Sequence, residues 1–191
     1  MADMKFKGFK PLIKTKRLEL KPMPTTFEMA HTLYELIDRN RKHFKYLPIA
    51  NVKAVEEEFT FLQNSGRQWK MGDSAAYGMY LRGTDTFIGM VNIHAISWSS
   101  ARGEFGYWMD SKYTGQGLMT EAVVALETYF FKIGFNRLAI LANPKNKASV
   151  AIARRLGYVK EGTERARNYN QYMKEYEDLT IFSKLRSEWK K

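Results

Sequence analysis

The sequence contains no cysteine. That excludes a disulfide scaffold, a thiolate zinc site and a cysteine nucleophile. No apolar run approaches the roughly 18–20 residues of a membrane span. The opening residues, Met1-Ala2-Asp3-Met4-Lys5-Phe6-Lys7-Gly8, lack the apolar core of a secretory signal. No low-complexity linker and no repeat at solenoid periods divides the chain. Disorder is excluded too: 45% of the residues are apolar and 14% aromatic, and disordered chains are poor in both. These absences predict one cytoplasmic domain over 1–191, long enough to bury a full core.

What is present is charge of one sign. Thirty-one Lys and Arg oppose 20 Asp and Glu, a net charge of +11. The surplus suggests an anionic partner, although charge speaks to association rather than to fold. Part of it lies in residues 1–14, with Lys5, Lys7, Lys10 and Lys14, which read as a patternless basic arm.

Arg17-Leu18-Glu19-Leu20-Lys21 alternates and predicts a first strand, ended by Pro22 and Pro24. Thr25 and Glu28 have capping-box spacing. Ala30, Leu33, Leu36 and Ile37 then form a helical stripe to about Asp38. A second helix is expected over 53–65, with Val55, Phe59 and Leu62 on its apolar side. Glu56, Glu57 and Glu58 are expected to face solvent in its early turns, where they complement the dipole. Residues 75–81 and 86–96 flank Arg82-Gly83-Thr84-Asp85 and predict a hairpin. A strand over 103–110 precedes a long helix over 117–133, closed by Gly134. Another strand at 138–142 leads to a helix over 146–156, capped by Asn146 and stopped by Gly157. Residues 158–162 and 179–185 read as a closing antiparallel pair. The predicted order is β-α-α-β-β-β-α-β-α-β-β.

The chemistry concentrates between Glu104 and Ala122. A strand runs through Tyr107 and Trp108 into the loop Lys112-Tyr113-Thr114-Gly115-Gln116-Gly117, and Leu118-Met119-Thr120-Glu121 opens a helix. A helix N-terminus offers free N–H donors and a positive dipole end to an anion. Gly115 and Gly117 allow close backbone approach to a phosphate. No Gly-Lys-Ser/Thr follows, so the loop is not a P-loop, and its spacing is not the dinucleotide fingerprint. By itself the motif equally describes a tight turn that packs a helix onto a sheet.

The whole arrangement resembles the GCN5-related N-acetyltransferase (GNAT) superfamily. Its Arg/Gln-x-x-Gly-x-Gly/Ala motif reads Lys112-Tyr113-Thr114-Gly115-Gln116-Gly117 here, with Lys in the first place. The chain is more closely similar to the RimJ/RimL branch, the ribosomal-protein N-terminal acetyltransferases. Glu104–Trp108, Gly115–Ala122, Phe135-Asn136-Arg137-Leu138, and Asn146-x-x-Ser149 through Arg155-Leu156-Gly157-Tyr158 to Glu161-Gly162 carry that likeness, with Asp178 and Glu188-Trp189. It spans about 17–189.

The resemblance implies an α/β (α+β) acyltransferase fold. Its sheet would be mixed and mainly antiparallel, with the fourth and fifth strands parallel and splayed and helices flanking. It implies acetyl-CoA as cofactor, no metal, and transfer without a covalent enzyme intermediate. Pantetheine would pair with backbone near Trp108 and Met109. Lys112, Tyr113, Thr114, Gly115, Gln116, Gly117, Leu118, Met119 and Thr120, together with Asn143 and Asn146, would complete the cofactor site. The acceptor implied is a primary amine, most specifically the α-amine of a ribosomal protein or peptide. Ribosomal association and a homodimer are compatible with it; a membrane or a specific nucleic acid is not implied.

Direct transfer needs a neutral amine. At pH 7, deprotonation costs roughly 1 kcal/mol for an α-amine and about 4.6 kcal/mol for a lysine. Glu104 shares one strand face with Gly106 and Trp108, and a Glu here is the family's candidate base; a salt bridge to Arg102 is the alternative. Ser149, in the first turn of its helix, is the candidate proton donor to the leaving thiolate, or a residue that caps free N–H groups. His31, His43 and His94 lack metal-ligand spacing. His94 reads more readily as a core or surface residue than as part of the acceptor channel. His43 lies in a segment, 41–48, that lines the acceptor groove in the family. Trp69 and Trp98 read as loop aromatics that pack or wall a peptide groove. Lys147 and Arg154 are candidates for the 3′-phosphate, and the Arg39, Arg41, Lys42, Lys45 cluster reads as a solvated face, with an acidic substrate or the nucleotide's phosphate as the alternative. Two alternatives remain. A small-molecule amine acetyltransferase acting on a polyamine, aminoglycoside or amino acid would show an acidic acceptor groove. A non-catalytic nucleic-acid module would leave the glycine loop unexplained and shows no recognised motif.

Overall fold

The alternation at 17–21 produces strand β2 at Leu18–Pro22, with Leu18 and Leu20 fully buried. The computed structural model describes residues 6–189, in which the elements assemble on one eight-stranded sheet. A short strand, β1 (Ile13–Lys14), pairs antiparallel with β2. The expected basic arm is therefore part of the fold from Phe6 onward, while Lys5 lies outside the described residues. Phe9 and Ile13 are buried, and Phe6 packs on Phe9 with ring centroids 4.8 Å apart.

Helix α1 (Phe27–Asn40) buries Met29, Ala30, Leu33, Leu36 and Ile37. Its cap is Thr26, which accepts from Met29 N at 3.2 Å, one residue later than the Thr25–Glu28 box predicts. Helix α2 (Val55–Met71) is longer than expected and ends where Gly72 adopts φ +83°. It includes Trp69, which packs on Phe9 and Tyr77 at 5.3 and 4.8 Å. Glu58 does not face solvent: it is 5% exposed, and burial, reinforced by Glu57, pushes its carboxyl up to about 7.

Strands β3 (Ala75–Leu81), β4 (Phe87–Ser97) and β5 (Arg102–Met109) form an antiparallel meander. Helix α3 (Leu118–Ile133), strand β6 (Arg137–Ala142) and helix α4 (Lys147–Arg155) follow. Strands β7 (Val159–Asn170) and β8 (Glu175–Leu185) close the chain, and the sheet order is β1-β2-β3-β4-β5-β6-β8-β7. One core cluster joins β-strand residues such as Val91, Ile93 and Phe105 to α3 and α4. The other joins Ala76, Met90 and Trp108 to α1 and α2. Strand alternation thus assigns each helix pair its own face of the sheet.

The closing hairpin is longer than expected. Both arms continue through 163–177, which reads in the sequence as a connection. Most side chains of β7 are exposed, so no apolar alternation marks it. The ladder shifts register between Glu164 and Asn168, where Ala166 has φ +48°.

Every neighbouring pair is antiparallel except β5 and β6, the expected fourth and fifth strands once β1 is counted. Their ladder covers only Arg102–Phe105 against Arg137–Ile140. Beyond it, β5 stays paired with β4 as far as Met109, and β6 stays paired with β8. The backbone edges of Gly106–Met109 and of Leu141 and Ala142 are left facing a gap.

Candidate active site

Two cavities meet at that gap. The first, about 590 Å³, runs between β5, the loop before α3, and α4. The second, about 750 Å³, lies over the Trp108 face of the sheet and reaches the β7–β8 hairpin. Leu47, Tyr107, Trp108, Asn146 and Ser149 line both. The parting of β5 and β6 therefore connects one side of the sheet to the other.

In the first cavity, Gly115 and Gly117 both have φ +76°. A Cβ on Gly115 would meet no atom within 4 Å, so the loop faces open space. Gly117 is the N-cap of α3 and supplies no side-chain cap. The first N–H groups of the helix are left for a ligand, an arrangement that fits a diphosphate. Of the residues that the resemblance assigns to the cofactor, Trp108, Met109, Thr114, Gly115, Gly117, Leu118, Met119, Thr120 and Asn146 line this cavity, and so does Ser149. Lys112, Tyr113 and Gln116 do not. The Lys112 N–H donates to Asp110, Tyr113 packs against the core, and the Gln116 carbonyl turns outward to Arg17. Asn143 lines the second cavity instead, where its Oδ1 accepts from Lys145 N at 2.8 Å.

Both ends of the loop are anchored. Asp110, 2% exposed, accepts from Arg39 at 2.8 Å and from Asn40 at 3.0 Å. Burial raises its carboxyl, but the donations from Arg39, Asn40 and Lys112 outweigh that and hold it below the usual range. Asn40 also accepts from Ser111 N at 3.0 Å. At the other end, Glu121 accepts from Thr15 Oγ1, Arg17 N and Arg17 Nε at 2.6–2.8 Å. Its carboxylate, in the first turn of α3, is thereby turned from the cavity. The Arg39–Lys45 cluster is accordingly structural in part: Arg39 anchors Asp110, and Arg41 donates to Asp38 and to the Ala50 carbonyl.

In the second cavity, Asn92, His94, Glu104 and Gly106 share the Trp108 face. His94 and Glu104 are cross-strand partners, with Nε2 3.8 Å from Oε2. His94 therefore lines the second cavity, with its side chain partly exposed, rather than packing in a core. Burial lowers its pKa, against the opposing pull of Glu104, and keeps the ring neutral near pH 7. Gly106 makes room for Asn92, whose Oδ1 would lie 2.5 Å from a Cβ there. Glu104 does not pair with Arg102. Tyr46, Leu47, Pro48, Ile49 and Asn51 line this cavity too, whereas His43 lies in the first. Trp98 stays away from both cavities, packing on Phe6 and Phe135 at 5.3 Å.

At the junction, Asn146 caps α4 and accepts from Ser149 N at 3.2 Å. The phenol of Tyr107, on the opposite face from Trp108, lies 3.4 Å from the Ser149 carbonyl. Burial raises this phenol well above its ordinary pKa, and the Ser149 contact offsets part of that. Nothing in the Glu-x-Gly-Tyr-Trp string singles out Tyr107, although strand alternation places it opposite Trp108. Arg155 lines the first cavity, donating to Thr120 Oγ1 at 3.0 Å, while the candidates Lys147 and Arg154 do not line it.

Comparison with known proteins agrees with this geometry. A family profile described as acetyltransferase (GNAT) domain matches residues 17–159. YdaF of Bacillus subtilis strain 168, provisionally named a ribosomal N-acetyltransferase, is 30% identical over 164 residues, covering 84% of this chain and 87% of its own. Two solved structures share the fold. One is RimL, the ribosomal L7/L12 α-N-protein acetyltransferase, in complex with coenzyme A (TM-score 0.82, 24% identity, 91% and 97% coverage). The other is the microcin C7 self-immunity acetyltransferase MccE with acetyl-CoA and AMP (TM-score 0.81, 22% identity, 97% and 99% coverage). The chain belongs to the GNAT acetyltransferase family and is an N-acetyltransferase.

Proposed function

We propose that the first cavity takes acetyl-CoA and the second a polypeptide N-terminus, whose α-amine receives the acetyl group. The observation that supports this most directly is the shared wall at Tyr107, Trp108, Asn146 and Ser149, reached from opposite sides of the sheet. Acetyl-CoA supplies the activated acetyl group as a thioester. Gly115, Gly117 and the α3 N-terminus hold its diphosphate through main-chain N–H groups, and the unpaired edge of β5 near Trp108 holds its amide-bearing arm.

Glu104 takes the proton that the acceptor ammonium must lose. Neutral His94 beside it does not repel the incoming cation. An α-amine asks only a modest base of the site, whereas a lysine asks several kcal/mol more. Ser149, with Tyr107 behind it, stands where a proton is needed by the departing sulfur. Membership in the family, the YdaF likeness and the RimL fold support a ribosomal protein as the acceptor's source. One domain over 1–191 in the cytoplasm fits this reading, and no described helix is long and apolar enough to cross a membrane.

The test is calorimetric titration with acetyl-CoA, followed by mass-spectrometric assay of peptide N-termini. Binding and mass gain at the α-amine are expected. No binding at millimolar acetyl-CoA overturns the reading. Gly115→Val is expected to weaken acetyl-CoA binding, because φ +76° strains a branched residue and its side chain enters the space above the loop.

A further inference from the structure

The second cavity holds a carboxylate that the transfer chemistry does not use. Glu177 is 7% exposed and lines the cavity wall. Its Oε1 accepts from Asn170 Nδ2 at 2.6 Å. Asn170 is fixed in turn, donating to the Lys45 carbonyl at 2.7 Å and accepting from Met173 N at 2.9 Å. No described residue donates to Oε2, and no described cation pairs with either oxygen of this cavity-lining residue. Cations of the surrounding segments are engaged elsewhere. Arg167 pairs with Glu164, Lys145 with Glu175 at 3.3 Å, and Lys45 lies 4.9 Å from the Tyr46 ring. The cross-strand neighbour of Glu177 is Asn168, which is neutral.

A carboxylate so buried is costly without a countercharge, and one amide hydrogen bond offsets only part of that cost. The fold nonetheless builds a support for it, two residues deep, at the cavity rather than at the surface. The surrounding chain is strongly basic, yet this cavity is lined by Glu104 and Glu177, and the one arginine that lines it, Arg167, is paired with Glu164. Glu104 lies opposite Ala139, and Ala139 opposite Ser183. Glu177 is six residues further along β8, ~20 Å of strand at about 3.3 Å per residue. The two carboxylates therefore mark separate points on an extended ligand.

We infer that Glu177 receives a second cation of the acceptor, an ammonium or guanidinium set apart from the amine that is acetylated. This rests on the second cavity being the acceptor site. The chemistry fits a polypeptide N-terminus followed by a basic residue, and equally a long polyamine.

The experiment is a lysine walk. Neutral peptides with a single Lys at positions 2 to 6, their Glu-substituted counterparts, and spermidine and spermine are assayed for acetylation by wild type, Glu177→Gln and Glu177→Lys. Acetyl-CoA affinity serves as the check on folding. Wild type is expected to favour Lys over Glu at one position by about tenfold or more in kcat/KM. Glu177→Gln is expected to collapse that ratio, and Glu177→Lys to invert it. Preference for spermine over every peptide, lost in Glu177→Gln, supports the same site with a small-molecule source. A wild type indifferent to the second charge overturns the inference without any variant, and so does a preference that survives Glu177→Gln. If acetyl-CoA binds and no amine is acetylated, the acceptor reading fails and the inference falls with it.

Discussion

The Arg17 guanidinium donates to the main-chain carbonyl of Gln116 at 2.8 Å, joining the first long strand to the glycine loop. The peptide plane between Gln116 and Gly117 is thereby oriented: its carbonyl turns to Arg17, and the Gly117 N–H points the other way. The same side chain holds Glu121 Oε2 at 2.7 Å. One arginine fixes a loop carbonyl outward and neutralises the carboxylate nearest the anion-binding helix end.

Arg17→Ala is expected to raise the KM for acetyl-CoA about tenfold, with a smaller effect on kcat. Two charge-assisted hydrogen bonds at a half-exposed site make about 1–2 kcal/mol available, and 1.4 kcal/mol is a factor of ten. Arg17→Lys restores part of the affinity, because an ammonium does not reproduce the fork. Steady-state kinetics at varied acetyl-CoA checks this; an unchanged KM rejects the positioning role.

Glu104→Gln is expected to lower kcat by roughly 10²-fold near pH 7, at the low end of general-base effects. The deficit shrinks as pH approaches the acceptor's own pKa, because the amine then arrives neutral. Acetyl-CoA affinity is the control. A deficit independent of pH would show that Glu104 positions the acceptor without taking its proton.

Tyr107→Phe and Ser149→Ala are each expected to lower kcat several-fold, and the double variant to cost little more than the worse single one. Residues that act as one unit are non-additive. Additive losses in the double-mutant cycle would separate the two groups.

Glu58 carries a stability signature. Burial pushes its carboxyl from the ordinary 4.5 up to about 7 in the fold, so the native state binds a proton that the unfolded state has released between those pH values. Stability from the buried neutral acid is fully present below about pH 4.5 and is lost as pH rises to 7, a change on the order of 3 kcal/mol. Glu58→Gln is expected to flatten that slope and to be the more stable form at pH 8. Urea melts from pH 5 to 8 measure it, and a slope unchanged in the variant refutes it.

The glycine loop, the long helix after it and the Asn146 cap were legible because each is a local pattern. Turn residues, apolar spacing and a capping side chain lie within one or two turns of each other. The face shared by Glu104, Gly106 and Trp108 followed from alternation alone. The place of His94 beside a cavity was not legible, because it depends on a cross-strand partner, Glu104, which only the β4–β5 register supplies. Glu58 was misjudged for a related reason: an acid in a first turn reads as solvated unless one knows what packs over it.

By itself, the sequence determined that this is a cysteine-free α/β chain with a glycine loop and a helix N-terminus behind a strand, since those properties are set by composition and near-neighbour spacing. The tertiary structure alone decided where β5 and β6 part, which joins two cavities through one wall. It also decided that Arg17 holds Gln116, that Tyr107 meets Ser149, and that Glu177 is buried in the wall of the second cavity. Each of these is a contact between elements distant in the chain. Register, sheet order and the length of the closing hairpin create them, and those are settled by the competition of whole faces for burial rather than by any local run of residues.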